Sequence, residues 1–433
     1  MLLSGPTLAP AVIAPRTPPS LAGRRTRYLV FCATYFYQGL IAGFSLTALA
    51  NHLTARGVSA AEIGFHFALA GLPWTLQPIL WGPVVDRAGD FRMGRRRYFA
   101  VAALLGCHVT LALLLWGSED RLGWLGLIFL VHSLCAALLD TACDRMIMDH
   151  VPETELGRIS GCTRAGFVTG SSLSAAVFAW MLTAYGLAVS ARWLLAAAVL
   201  ASLPILLVRE APGDALATLT RRGPVPRRLP FRRFLRRLLI GLKRPRALWL
   251  LALCFGLDGA LGLFELPFSV DLLQRQAWDP AALSRLQAGL ALASGTAGAL
   301  VVGFWSDRVG PIRPLRALLL ASAATFLSAG ALIAVGLVGP AGPVILALTN
   351  MLPGLLIVAL MPALLQASRG RAGAATQFEV YMAAMNLGSV AGTALAGWLA
   401  PVLPLAMVAV FVAAVFLGAL RIAGRGNLLA ARA

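Results

Sequence analysis

The chain of 433 residues is 59% hydrophobic and only 13% charged, which excludes an ordinary soluble enzyme and a disordered chain. It carries 37 Lys+Arg against 18 Asp+Glu, a balance of +19 that in a soluble protein would suggest nucleic acid. Here the charges sit in short segments between long apolar runs, which is the layout of a chain that crosses a membrane many times.

Residues 1–27 contain Pro6, Pro10, Pro15, Pro18 and Pro19, so their apolar stretch is too broken for a signal-peptide core and a disordered tail is expected. Apolar runs then predict spans at 28–50, 62–85, 98–116, 123–143, 159–185 and 191–208. A second set follows at 247–270, 284–305, 316–337, 342–366, 377–400 and 402–420. Each spanning helix needs about 20 apolar residues, so two sets of six account for the length. The expected organisation is a bundle over 28–208, a linker over 209–246, a second bundle over 247–420 and a tail over 421–433.

The linker holds Pro212, Pro224, Pro226 and Pro230, the composition of a connection. Within it, Phe231, Phe234, Leu235, Leu238, Leu239 and Leu242 recur at helical spacing with Arg232, Arg233, Arg236 and Arg237 between them. That pattern predicts an amphipathic helix on the anionic leaflet, so membrane lipid is an expected partner and nucleic acid is not. Alternate connections hold 32 of the 37 basic residues, leaving Arg56, Arg121, Arg192, Arg275 and Arg285 on the other side. By the positive-inside rule both termini are cytoplasmic. The six cysteines have no CxxC spacing, and the one lysine, Lys243, lies in no phosphate-binding loop. No cofactor, resident metal or ATPase activity is expected.

Gly82, Asp86, Arg87 and Gly89 after the second span reappear as Gly303, Asp307, Arg308 and Gly310 after the eighth, shifted by 221. Gly170, Ser171 and Trp180 reappear as Gly388, Ser389 and Trp398, shifted by 218. Parallel six-helix repeats build one large class of secondary transporter. The motif G-x-x-x-D-R-x-G resembles the loop signature of the major facilitator superfamily. Tyr37-Gln38-Gly39, Gly71-Leu72-Pro73-Trp74, Gly94-Arg95-Arg96-Arg97, the pair Asp140 and Asp144, and Ala375-Thr376-Gln377 resemble its peptide/acetyl-coenzyme-A/drug branch. That branch includes muropeptide permeases of the AmpG type and shorter siderophore importers. Ile41 and Leu139 depart from its pattern, where Pro and Gln are usual. The resemblance implies an all-α membrane protein of twelve helices in two pseudo-symmetric bundles. It further implies a proton-coupled importer of a bulky organic solute in a bacterial inner membrane, working as a monomer by rocking of the two halves. An exporter of the same fold is the alternative, and a membrane-embedded transferase, hinted at only by Asp149-His150, a remote one.

A charge at membrane depth costs a few kcal/mol or more, which makes an intramembrane acid a functional candidate. Asp258 falls near the middle of span 7 among Gly256, Gly259 and Gly262, and Glu265 lies two turns on. These two, with Asp140, are the candidate proton carriers. The resemblance implies a gate of Asp86, Arg87, Asp144 and Arg145 at the start of span 11, matched by Asp307 and Arg308 beside Arg158 and Arg164. Asp140 is divided between gate and site. Expected walls on spans 1, 4, 7 and 10 supply Tyr35, Tyr37, Gln38, Phe264, Phe268, Asn350 and Gln366. Glu379 on span 11 is either a specificity determinant or an acid favoured by the helix start. Aromatic rings with a few amides suit a bulky ring-bearing solute, and no Lys or Arg near the middle of those four spans disfavours a densely anionic one. His66, His108 and His132 are candidate relays, though more often such residues are packed and hydrogen-bonded.

Overall fold

The computed structural model describes residues 19–424 except 60–61, 65–68, 88, 90, 118–120, 224–229, 372 and 400–401. His66 and most of both expected tails lie outside the described residues. Within the first bundle, α1 (Arg24–Gly43) continues through a π-helical turn, Phe44–Leu49, into α2 (Ala50–Ala55). There follow α3 (Leu72–Leu80), α4 (Gly82–Arg87), α5 (Arg97–Leu113), α6 (Leu122–His150) and α7 (Leu156–Leu207). The linker carries α8 (Phe231–Leu242). The second bundle holds α9 (Pro245–Gln274), α10 (Pro280–Ala293) and α11 (Ala299–Val309), with a π turn between the last two. It ends with α12 (Ile312–Ala334), α13 (Val338–Ser368), α14 (Ala374–Leu399) and α15 (Leu405–Gly424).

Among the described residues nine helices are long and apolar enough to cross a membrane. One of them, α7, contains the non-helical Gly186 at φ 73°, so its 52 residues are two helices meeting at a bend, between the fifth and sixth expected spans. The second expected span is segmented into α3 and α4, and the eleventh is α14, 26 residues long. The architecture is all-α and consistent with twelve spans in two bundles. Among the described residues the extended pairing is confined to two isolated bridges, Ser20 with Arg209 and Phe91 with Arg221, which tie the linker to its neighbours.

The repeat read from the sequence reappears in packing. A Cβ on Gly170 would collide with the carbonyl oxygen of Phe36, and one on Gly388 with that of Phe255. Without side chains at these two positions, α7 crosses α1 and α14 crosses α9 at backbone contact, once in each bundle. The bundles meet along two seams. Gly157 and Gly303 bring α7 and α11 together, each where the other leaves no room for a side chain, and α14 rests on α3 and α4.

Candidate functional site

At the end of the molecule that carries the basic connections, two carboxylates each cap a helix of the opposite bundle. Asp86 accepts from the backbone N–H of Ala375 at 3.0 Å, and from the N–H and hydroxyl of Thr376 at 2.9 and 2.8 Å. These are the orphan donors of the first turn of α14. Arg145 lies 3.7 Å from Asp86 and 3.1 Å from Asp149, and Arg96 is 3.6 Å from Asp149. In the second repeat, Asp307 accepts from the N–H groups of Gly157 and Arg158 at 2.7 and 3.0 Å and from Arg158 Nε at 2.6 Å. Arg369 adds a third tie, donating to the carbonyls of Met148 and Val151 at the end of α6.

Four expected gate residues sit elsewhere. Asp144 does not pair with Arg145, which reaches Asp86 and Asp149, and instead accepts the Tyr35 hydroxyl at 2.5 Å. Arg87 lies over the rings of Phe231 and Phe234 on α8, at 5.2 and 5.8 Å. Arg308 is exposed and lies 4.2 Å from the ring of Phe304 on its own helix. Arg164, two turns into α7, is past reach of Asp307 and turns inward.

That inward direction leads to a cavity of about 950 Å³ between the bundles. Of the expected wall residues, Tyr35, Tyr37 and Gln38 line it, together with the expected proton carriers Asp140 and Asp258, the expected gate residues Asp144 and Arg164, and His132. Asp258 from one bundle and Arg164 from the other are within electrostatic reach of each other. Asp140 accepts from Gln38 at 3.2 Å and from Gln77 at 3.1 Å, and Gln77 also reaches the Ala137 carbonyl and the Thr141 hydroxyl. His132 Nδ1 is 3.1 Å from the Thr110 hydroxyl. His108 is 3.4 Å from that of Ser202. The two histidines are thus side chains held by neighbours.

Other expected wall residues are turned away. Phe264 and Phe268 stack at 5.1 Å and meet Phe326 and Phe416, forming an aromatic core between α9, α12 and α15. Asn350 donates to the carbonyl of Leu346 in its own helix, Gln366 is half-buried outside the cavity wall, and Glu265 is exposed. Glu379 is fully buried, one turn beyond the cap at Thr376, and its carboxylate comes within 4.8 Å of those of Asp140 and Asp144. Sequence reasoning misses Trp74, Gln77, Met382, Met385, Asn386 and Ser389, all on the cavity wall. A signal for them exists on span 11, where positions 382, 385, 386 and 389 share one helical face.

The pattern of the Major Facilitator Superfamily matches residues 28–378. The chain belongs to the major facilitator superfamily. It is 24% identical over 288 residues to the anhydromuropeptide permease of Escherichia coli (strain K12), an alignment over 65% of this chain and 55% of that protein. The chain therefore spans about half the length of the curated relatives it matches. Among solved structures it is similar to FucP, a superfamily transporter in the outward conformation, with a TM-score of 0.67 at 15% identity over 93% of this chain and 99% of that one. The human organic anion transporter MFSD10 gives 0.64 at 15% identity, over 94% of this chain and all of the other. At such identities these likenesses concern the superfamily fold alone.

Proposed function

We propose that the chain is a secondary active transporter of a bacterial inner membrane, with its basic end in the cytoplasm, that imports a bulky polar organic solute together with protons. The observation that carries this reading is the cavity between the bundles, with Asp258 and Arg164 facing it from opposite sides. Its volume suits a solute far larger than a sugar, and its rings and amides suit one with many polar groups. The expectation that dense negative charge is disfavoured rests on four spans without a cation. Arg164 comes from a fifth, and its guanidinium fits a solute bearing a carboxylate. The distant likeness to an anhydromuropeptide permease favours a muropeptide-like solute, with ferric siderophores as the second class.

Asp258 is the coupling acid in this reading, since it is an ionisable group at membrane depth within reach of a cation from the other bundle. The helix caps at Asp86 and Asp307 are the elements that part when the cavity opens to the cytoplasm, a two-state arrangement of rigid bundles. Helix α8 supports a lipid contact: Phe231, Leu235, Leu239 and Ile240 are exposed beside its arginines.

The test is uptake into proteoliposomes under an imposed proton gradient, with a labelled anhydromuropeptide and a ferric siderophore as probes. The parent concentrates one of them, whereas Asp258→Asn exchanges it across the membrane without concentrating it. Concentration by the Asn variant equal to the parent's removes Asp258 from the coupling step. Gradient-driven expulsion from loaded vesicles reverses the direction.

A further inference from the structure

We propose that Asp140, Asp144 and Glu379 form a binding site for a calcium-sized divalent cation that bridges the two bundles at the base of the cavity. One carboxylate oxygen from each residue lies within 4.8 Å of the other two. Two oxygens bound to one Ca²⁺ are separated by at most about 4.6–5.2 Å, twice the usual bond length, whereas Mg²⁺ allows only about 4.2 Å. The trio therefore needs little movement to hold the larger ion. An all-oxygen donor set of three acids selects a hard cation over a thiophilic one.

The second observation concerns hydrogen bonds. Glu379 is wholly buried, and among the described residues neither of its carboxylate oxygens has a hydrogen-bond partner. The Thr141 hydroxyl donates to the Ala137 carbonyl. Asp144 has the Tyr35 hydroxyl and Asp140 has two glutamine amides, so the other two acids are oriented by neutral donors. Arg145, next in sequence to Asp144, is engaged with Asp86 and Asp149, and among the described residues no ion pair reaches the trio. A buried carboxylate without donors, aimed at two more, is the arrangement that a bound cation completes. Asp140 and Asp144 line the cavity, which gives an ion and its remaining water ligands a way in.

The consequence is mechanical. Asp140 and Asp144 stand on α6 and Glu379 on α14, so one ion ties the bundles together one turn from the Asp86 cap.

The test reads binding without transport, so it stands or falls apart from the transporter reading. Purified full-length protein is titrated with Tb³⁺, a calcium surrogate whose emission is excited through nearby aromatic rings such as Tyr35. Ca²⁺ then displaces it, and isothermal calorimetry gives the Ca²⁺ affinity directly. The expected result is saturable binding with a dissociation constant of about 10⁻⁴–10⁻³ M. Glu379→Gln weakens it by about tenfold or more, Asp140→Asn does likewise, and Glu153→Gln at an exposed position leaves it unchanged. Ca²⁺ also raises the melting temperature of the parent and not of Glu379→Gln. Absence of saturable Ca²⁺ binding in the parent up to about 10 mM overturns the site and leaves protons as its occupants. Parent-like affinity in both trio variants places any ion elsewhere and overturns it equally.

Discussion

Asp86 and Asp307 hold the same place in a repeated motif and make the same bond, a carboxylate across the first turn of a helix in the other bundle. Their surroundings differ. Asp86 has a side chain with no exposure, and behind it Arg145, Asp149 and Arg96 form a chain of alternating charge. Among the described residues the cation paired with Asp307 is Arg158, whose side chain is 30% exposed. The buried acids follow the same division. Asp140, Asp144 and Glu379 lie along the seam of α6 and α14 above the Asp86 cap, whereas the seam of α7 and α11 above Asp307 is closed by Gly157, Gly161 and Gly303. Two matching caps thus stand in unlike settings, one beside a cluster of buried acids and the other beside a close-packed glycine joint.

The largest expected effect breaks that comparison directly. Asp86→Ala removes the buried acceptor of the first turn of α14 and leaves Arg145 to Asp149, a loss of about 3–5 kcal/mol to the capped arrangement. Asp307→Ala strands two amides and an arginine that water can reach, a loss of about 1–3 kcal/mol. Distances between spin labels at exposed Arg95 and Arg313, one in each bundle, report the opening of this end. A distance distribution that broadens equally in the two variants means that the surrounding network adds nothing to the first closure.

Both helix caps are foreseen in the amino-acid sequence through the resemblance to the superfamily, since its loop motif occurs twice and implies that each Asp meets the start of a helix in the other half. The spans are legible in the residues themselves: apolar runs separated by arginine need no tertiary information. What the sequence does not supply is the rotation of each helix about its own axis. On α9, Gly262 packs so closely on α14 that a Cβ would stand 2.9 Å from the Ser389 carbonyl oxygen. That contact commits one face of α9 to its neighbour and turns Phe264 and Phe268 into the aromatic core rather than the cavity. Helix rotation likewise puts Asp144 on the cavity rather than beside Arg145 and brings Arg164 inward. Glu379 stands out as a departure from the related branch, yet its pairing with two acids from another bundle depends on how α6 and α14 approach.

The second prediction sharpens the comparison outside the membrane. The first repeat's turn is anchored by the linker: Glu210 Oε2 accepts from the N–H groups of Arg96 and Arg97 at 2.7 and 2.8 Å, and Oε1 lies 3.3 Å from His150 Nε2. Burial by itself would push this carboxyl up, but the His150 contact and the two amides outweigh it and hold it below the ordinary glutamate range. A folded-state value below the unfolded one means that Glu210 stabilises the fold fully above that range and loses its contribution as pH falls through the folded value. Glu210→Gln is therefore expected to cost about 1–3 kcal/mol at pH 7.5, with the gap between variant and parent narrowing in melts near pH 4. A gap that stays constant with pH assigns the loss to packing instead.

The smallest effect separates the two arginines of the motif. Arg308 is exposed over Phe304, a contact within one helix worth about 0.5–1 kcal/mol, so Arg308→Ala lowers stability by no more than that. Arg87 instead faces two rings of α8, the linker helix whose Phe234 and Leu238 pack beside Gly373 at the start of α14. Losing Arg87 costs a similar amount in energy, but the loss falls on the seating of α8 against the turn that Asp86 caps. Hydrogen exchange distinguishes the two outcomes. Amides of 231–242 exchange faster in Arg87→Ala and unchanged in Arg308→Ala, because an isolated helix of 12 residues has little stability of its own once its docking contacts weaken. Equal protection in both variants means that α8 is held by lipid and its apolar contacts alone, and that the first closure owes nothing to the linker helix above it.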